Sequence, residues 1–369
     1  MHRKYSPFLY NDYSRISWDR GVAVKGKEIG FGIIGCGMIS DWHANAILAT
    51  EGTKLVGFTD LYEASRTAAA KKYDSAVFDS AEIMLENQEI DAVCICTPSG
   101  LHAPLAIKAA NAGKHIVVEK PMALTLEEAD AIIEACRTNK VKMEVISQLR
   151  FTDAVRRLKG TVERGELGKL ISGDIYMKYY RSQEYYDKGG WRGTWKMDGG
   201  GALMNQGIHG IDLLQYVMGP VKSVFAYTRT LARKIEVEDT AAAVVEFQCG
   251  ALGVIQGTTS VYPGSPRRLE VNGDKGTIVL EEDSIATWTI QGQEQPGVIQ
   301  VKQTSGKTFS NPAAFGIEGH IRQIGDMADA IREDRKTMVD QYEGRKPVEI
   351  ITAIYESSRT GKRIELPGK

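Results

Sequence analysis

The sequence predicts an α/β chain in two parts, a doubly wound parallel sheet followed by an α+β region with antiparallel strands. Three observations carry this. From Glu28 to about Ile146, short apolar runs alternate with helical stretches, the pattern of parallel strands joined by crossover helices. Beyond about Arg150, strands follow one another with Gly and Asn turns between them, and helices are segregated. At 369 residues the chain also exceeds what one core of ordinary size accommodates.

The elements follow in order. Ile29–Ile34 is an apolar run ending in glycines and reads as a buried strand. A helix over 38–49 leads to a strand over 55–59 that ends at Asp60. Further strands fit 76–78, 92–96, 116–118 and 143–146, separated by helices over 64–73, 101–112 and 126–139. Gly113 stands where a helix end needs positive φ, and Thr125 with Glu128 fits a capping box. In the second half, strands are expected over 170–180, 224–229, 241–247, 252–258, 268–271 and 277–280. Helices are expected over 203–218, 317–332 and 348–359. The domain boundaries implied are an arm over 1–27, a first domain over 28–149 and a second over 150–369. The arm carries Tyr5, Phe8, Tyr10, Tyr13 and Trp18, too aromatic for a solvated tail. It packs either on its own domain or on a neighbouring subunit.

Composition narrows the function classes. A formal net charge of −1 provides no basic excess for nucleic acid or an anionic membrane surface. No apolar run approaches the ~20 residues that span a bilayer, and the first ten residues lack a secretory pattern, so a cytoplasmic address is expected. Five cysteines at irregular spacing suit neither a disulfide framework nor zinc. Cys94 and Cys96 read as small buried residues on one strand face.

Gly35-Cys36-Gly37-Met38-Ile39-Ser40 lies between the first strand and first helix. Gly35 permits the tight turn, and Gly37 lets a pyrophosphate approach the backbone and helix N-terminus. Ser40 stands where a third glycine or alanine is usual. A lone glycine pattern is weak, but Asp60 closes the next strand near the ~20-residue spacing that a ribose-binding acid requires. Asp60 would repel a 2′-phosphate, and neither Leu61 nor Tyr62 offers compensating charge, so the cofactor expected is NAD. Met38, Ile39, Thr97, Pro98, His102, Glu119 and Lys120 complete the predicted dinucleotide site.

Glu119-Lys120-Pro121 follows a strand at the carboxyl edge of the sheet, where ligands of open α/β folds bind. A lysine there can donate to an oxygen that gains charge, and Pro121 suggests a cis or otherwise fixed peptide that would aim it. Alone, the tripeptide would be an ordinary loop. The chain, however, resembles the Gfo/Idh/MocA family (glucose–fructose oxidoreductases and inositol dehydrogenases) from about residue 28 to its end. The residues that carry the likeness are Gly35 and Gly37, Thr97-Pro98 with His102, and Ala112-Gly113-Lys114-His115 leading to Glu119-Lys120-Pro121. Downstream come Arg150-Phe151, Gly165 with Gly168, Gly199-Gly200-Gly201, then Asn205, His209 and Asp212. The resemblance implies Lys120 as the catalytic lysine and His209 as the acid/base group. It also implies a second domain with a large open antiparallel sheet whose outer face supports homo-oligomers.

Asn205 departs from the Asp usual in inositol dehydrogenases. Asn205 and His209 stand at i and i+4, one helical face, but Asn cannot take a proton. His209 then acts alone, or Asp212 helps orient it; Asp212 as a purely structural partner is the other reading. The Asn variant resembles dehydrogenases acting at C3 of nucleotide-linked amino-sugar uronates and of glycosides. His102 either lines the nicotinamide pocket or packs, and His43 and His115 read as structural. Trp191 and Arg192 precede the glycine run, and Tyr179, Tyr180 and Arg181 end a strand; with Arg150 they are candidate sugar contacts. No metal is expected, since His209 and Asp212 alone are too few ligands.

The function expected is NAD-dependent oxidation of a secondary hydroxyl, at C3, of a sugar, glycoside or nucleotide sugar. Alternatives are an inositol- or glucose-type dehydrogenase, an NAD-dependent glycosidase, and a non-catalytic dinucleotide sensor. With His209 as base, activity should rise with pH between 5 and 8 as the imidazole becomes neutral.

Overall fold

A computed structural model describes residues 27–188, 190–293, 310 and 316–367. The aromatic arm expected over 1–27 lies outside them except for Lys27. In the first half, β1 (Ile29–Ile34), β2 (Thr53–Thr59), β3 (Ala76–Val77), β4 (Ala92–Ile95), β5 (His115–Val118) and β6 (Met143–Val145) form one sheet. Its order is β3-β2-β1-β4-β5-β6 and every pairing is parallel. The order reverses between β1 and β4, so a crevice opens at their carboxyl ends, where the glycine turn lies. Helices α1 (Ser40–Ala49), α2 (Glu63–Tyr73), α3 (Ala81–Glu86), α4 (His102–Asn111) and α5 (Leu126–Asn139) make the crossovers. Gly113 takes φ +71°, and Glu128 N donates to Thr125 Oγ1 at 3.2 Å. The reciprocal carboxylate contact goes to Leu124 N rather than to the cap residue itself. Cys94 and Cys96 are buried on one face with Phe31, Ile33 and Val117.

The second half begins with α6 (Asp153–Glu163) and β7 (Leu170–Lys178), then α7 (Gln183–Asp187) and α8 (Ile208–Met218). Strands β8 (Val221–Arg229), β9 (Thr240–Phe247), β10 (Leu252–Thr258), β11 (Arg268–Gly273), β12 (Gly276–Glu281) and β13 (Ser284–Ile290) follow. Helices α9 (Glu318–Glu333) and α10 (Gln341–Thr360), then β14 (Ile364–Glu365), complete it. The sheet has eight strands in the order β13-β12-β11-β7-β10-β9-β8-β14. It is mixed rather than antiparallel throughout, because β7 pairs with β10 in parallel. The reason is the connection: β7 leads into α7 and α8 instead of a hairpin, and a parallel partner requires such a long crossover.

One face of this sheet packs on α8 and α10, burying Ile175, Met177, Ile211, Leu214, Val245, Ile351 and Ile354 in one cluster. The chain then returns to the first sheet. Helix α9 places Ile324, Met327 and Ala328 against Phe31, Ile33, Ala44 and Ile47. Val145 N of β6 donates to Val339 O at 2.9 Å. Helix α10 starts earlier than expected, because Asp340 caps it by accepting from Tyr342 N and Glu343 N, and Pro347 is accommodated inside. Gly344 is required there, since a Cβ would lie 2.3 Å from Val145 Cγ2 of β6. Among the described residues, no helix is long and apolar enough to cross a membrane.

Candidate active site

A cleft of about 900 Å³ runs from the glycine turn of the first sheet to a wall supplied by the second. Gly35 turns the chain with φ +97°, and a Cβ on it would lie 2.9 Å from the Cys96 backbone. A Cβ on Gly37 would meet nothing within 4 Å, so that edge is open to an approaching phosphate. Ser40 is buried and its hydroxyl donates to Gly37 O at 2.6 Å, which closes the turn onto the first residue of α1. Asp60 anchors the turn from β2, accepting from Cys36 N at 2.7 Å and Tyr62 N at 2.8 Å. One charge escaped the sequence reading. Arg66, a helical turn beyond Tyr62, donates to Asp60 O at 3.3 Å and pairs with Asp79.

Met38, Ile39, Thr97 and Pro98 line the same cleft. Thr97 Oγ1 is buried without a hydrogen-bond partner, as a side chain meant for a bound molecule would be. His102 also faces the cleft, and its ring nitrogens reach Thr97 O at 2.9 Å and Pro121 O at 2.7 Å. It therefore ties the dinucleotide wall to the lysine turn. The open Gly37 edge, the Asp60 carboxylate and the orphaned Thr97 hydroxyl fit the NAD expected from the motif.

Glu119 closes β5 and is buried, with Oε1 3.0 Å from His43 Nε2 and 3.8 Å from His320 Nε2. Burial alone would raise its pKa, but the two imidazoles outweigh it and hold the carboxyl well below the usual range. These three residues form the one His/Glu set, among the described residues, with donor atoms within 4.8 Å of one another. The His43 contact has hydrogen-bond geometry, and no spacing in the sequence could have grouped positions so far apart.

Lys120 begins a cis peptide with Pro121, and its Nζ donates to the backbone oxygen of Asn205 at 2.8 Å. Burial lowers its pKa, assisted by Arg181 and Arg192 and opposed by Glu119 and Asp198. Asn205 sits in a π-helical turn over Ala202–Gly207 that runs directly into α8 and His209. Such turns widen a helix and gather at functional sites. Both residues line the cleft with Lys120. Burial, then the Lys120 charge, depresses the His209 pKa well below 6.5. The direction favours the neutral imidazole that a general base needs and places the expected acid limb below that of an ordinary histidine.

Two acids missed by the sequence reading build this turn. Asp198, just ahead of the glycine run, accepts from Gly193 N at 2.8 Å and Asn205 Nδ2 at 2.5 Å. Burial raises its pKa to about 6. Glu238 accepts from Gly201 N, Leu203 N and the Tyr355 hydroxyl at 2.8–2.9 Å, and burial raises it to about 7. Gly201 must be glycine, since a Cβ would lie 2.0 Å from Glu238 O. The only local signal was an acid beside three glycines.

Trp191, Arg192, Tyr179, Tyr185, Arg181 and Arg267 line the wall from the second half. Tyr180 does not, because strand alternation turns it outward to an edge contact with Tyr262 at 5.1 Å. Arg150 and Asp212 also lie off the cleft. Arg150 Nε and Nη2 donate to the two Asp212 oxygens at 2.8 and 2.6 Å, and Nη1 reaches Glu343 at 2.9 Å. Both are buried, where a guanidinium requires a two-pronged acid partner. The Arg150–Asp212 pair therefore stands behind the cleft lining rather than in it.

Comparison with known proteins is consistent with this arrangement. Residues 29–147 match the family described as an oxidoreductase family with an NAD-binding Rossmann fold, and residues 155–279 match the GFO/IDH/MocA C-terminal domain. The crystal structure of the WlbA dehydrogenase from Bordetella pertussis, in complex with NADH and UDP-GlcNAcA, superimposes with a TM-score of 0.84. It is 34% identical over 94% of this chain and 100% of that one. The Myo-inositol 2-dehydrogenase of Thermotoga maritima is 30% identical over 72% of this chain and 78% of its own. The D-glucoside 3-dehydrogenase of Escherichia coli is 26% identical over 93% and 99%.

Proposed function

Because the chain belongs to the Gfo/Idh/MocA family of NAD-binding oxidoreductases, we propose that it oxidises a secondary hydroxyl, at ring carbon C3, of a sugar, glycoside or nucleotide-linked sugar. One observation carries the reading: a single cleft joins the dinucleotide turn to Lys120, Asn205 and His209. NAD, held by the Gly35–Gly37 turn, Asp60 and Thr97, supplies the hydride acceptor. His209, neutral because it is buried beside a cation, accepts the hydroxyl proton. Lys120 donates to the same oxygen as charge builds on it, and its hold on Asn205 O fixes the ammonium in place. Asn205, tied to Asp198 and Gln206, orients rather than titrates. Arg192 and Trp191 offer a polar edge and a flat ring to the sugar.

In this reading residues 28–149 bind the dinucleotide and 150–369 the substrate. Among the described residues, the face of the eight-stranded sheet turned away from α8 and α10 exposes Tyr227, Val244 and Leu252, which fits association with further copies of the chain. NADH formation across free sugars, inositols, glycosides and nucleotide-linked sugars tests the proposal, with His209→Ala as control. A keto-sugar formed with stoichiometric NADH, lost in the variant, is the expected result. Release of an aglycone without net NADH, or no turnover with any class, would overturn it.

A further inference from the structure

Asn205 and Gln206, two amides of the π-helical turn, line the cleft beside Lys120 and His209. The two ends of an amide are alike in size, but one donates hydrogen bonds and the other accepts them. Which end faces which way is decided along a hydrogen-bonded line. At one end stands Asp198, 0% exposed and set behind the cleft lining. An ionised carboxylate only accepts, so Asn205 turns Nδ2 toward Asp198 Oδ1, at 2.5 Å. Asn205 Oδ1 is left to accept from Gln206 Nε2 at 2.9 Å, and Gln206 Oε1 accepts from Arg181 Nε at 3.1 Å. The line runs from an acid that only accepts to a guanidinium that only donates, and both amides between them have one orientation.

The same line seats Lys120. Its Nζ donates to Asn205 O at 2.8 Å, so the ammonium rests on the residue whose side chain Asp198 holds. The other Asp198 oxygen accepts from Gly193 N at 2.8 Å, which ties the turn carrying Arg192 to the π-helical turn. Lys120 and Asp198 are close enough for each charge to favour the other. Glu119 also favours the Lys120 charge, but its Oε1 is engaged by His43 at 3.0 Å.

We propose that Asp198 is a positioning residue for the reaction: from behind the cleft, its carboxylate orients Asn205 and Gln206 and, through Asn205, seats the Lys120 ammonium against the reacting oxygen. This role rests on the dehydrogenase reading, whose site it completes. It requires the anion. A protonated Asp198 loses the charge that favours Lys120 and can donate as well as accept, so the direction of the line is no longer enforced. Burial raises this carboxyl to about 6, opposed by Gly193 N, the Asn205 amide, Lys120 and Arg192. Tyr186 and Tyr355 are its other titratable neighbours. Turnover should therefore fall as pH drops through about 6, a step that belongs to Asp198 and adds to that of His209.

Asp198→Asn is isosteric and uncharged, and its NH₂ must face one of the two N–H donors that now point at the carboxylate. Steady-state NADH formation by the full-length, NAD-loaded protein should show kcat reduced about tenfold to a hundredfold, KM changed by less than about threefold, and the step near pH 6 gone. Thermal melts confirm folding. In an Asn205→Ala background the same substitution should cost little more, because the group it acts through is absent. Competitive acetylation of the protein without added NAD, read by mass spectrometry across pH, follows Lys120 without turnover. Lys120 should react at lower pH in Asp198→Asn, since an anion that keeps its amine protonated is lost. Should Asp198→Asn not fold, Asn205→Ala carries the test alone: it deletes a donor that favours Asp198 ionisation, so the step near pH 6 should move upward. A step unmoved by either substitution, a loss confined to KM, fully additive costs, or an unshifted Lys120 acetylation profile overturns the proposal. Absence of NADH with every substrate class sinks the dehydrogenase reading instead, and the acetylation profile still decides whether Asp198 governs the lysine.

Discussion

Replacing Lys120 by Met keeps an unbranched side chain of similar length in the cleft and removes its ammonium. In the native site that ammonium is 2.8 Å from Asn205 O and remains available to the substrate oxygen beside His209. Loss of one donor aimed at developing charge costs about 3–4 kcal/mol, or roughly 10²–10³ in kcat. A second effect follows from the same geometry. The Lys120 charge is, after burial, the largest cause of the depressed His209 pKa. A base works only when neutral, so the native rate falls when pH drops through the His209 pKa, below the ordinary 6.5. Removing the cation lets that pKa rise, and the acid limb of kcat against pH moves upward. Steady-state NADH formation across pH gives both quantities, and NADH fluorescence titration should show cofactor affinity unchanged. A kcat within about threefold of native, or a reduced kcat with an unmoved acid limb, would refute the assignment of Lys120 beside His209.

Asp60→Ala removes the carboxylate that holds Cys36 N and Tyr62 N. NAD affinity should fall about tenfold to a hundredfold while NADP is less affected, and an unchanged preference between the two in fluorescence titration would refute the ribose role. Arg150→Met leaves Asp212 buried and unpaired, so unfolding free energy should fall by about 3–5 kcal/mol in denaturant melts. Pairing it with Asp212→Leu should recover part of that loss. A raised KM with unchanged stability would instead return Arg150 to the substrate.

The dinucleotide half was largely legible because its chemistry is local. A tight turn, a backbone approach and a strand-end acid all fall within one βαβ unit, so Gly35, Gly37 and Asp60 could be read in order. The assignment of Lys120 and His209 to one site came from the family resemblance, and both line the same cleft. Arg150 was misplaced among the sugar contacts, and Asp212 takes the structural one of its two readings, because a motif residue in a buried core and one in a cleft look alike in one dimension. Tyr180 was misplaced by one step of strand alternation, while Tyr179 and Arg181 reach the cleft.

By itself, the sequence determined the parallel sheet, its glycine turn with the strand-end acid of an NAD-binding fold, and the lysine at the sheet edge, since each follows from periodicity or from groups within one βαβ unit. Only the tertiary structure decided what surrounds them. Asp198 and Glu238 shape the turn that presents Asn205, His43 and His320 flank Glu119, and α9 packs back against α1. Those contacts join positions up to hundreds of residues apart. Their strength comes from burial, which makes each buried charge find a partner that no local pattern names.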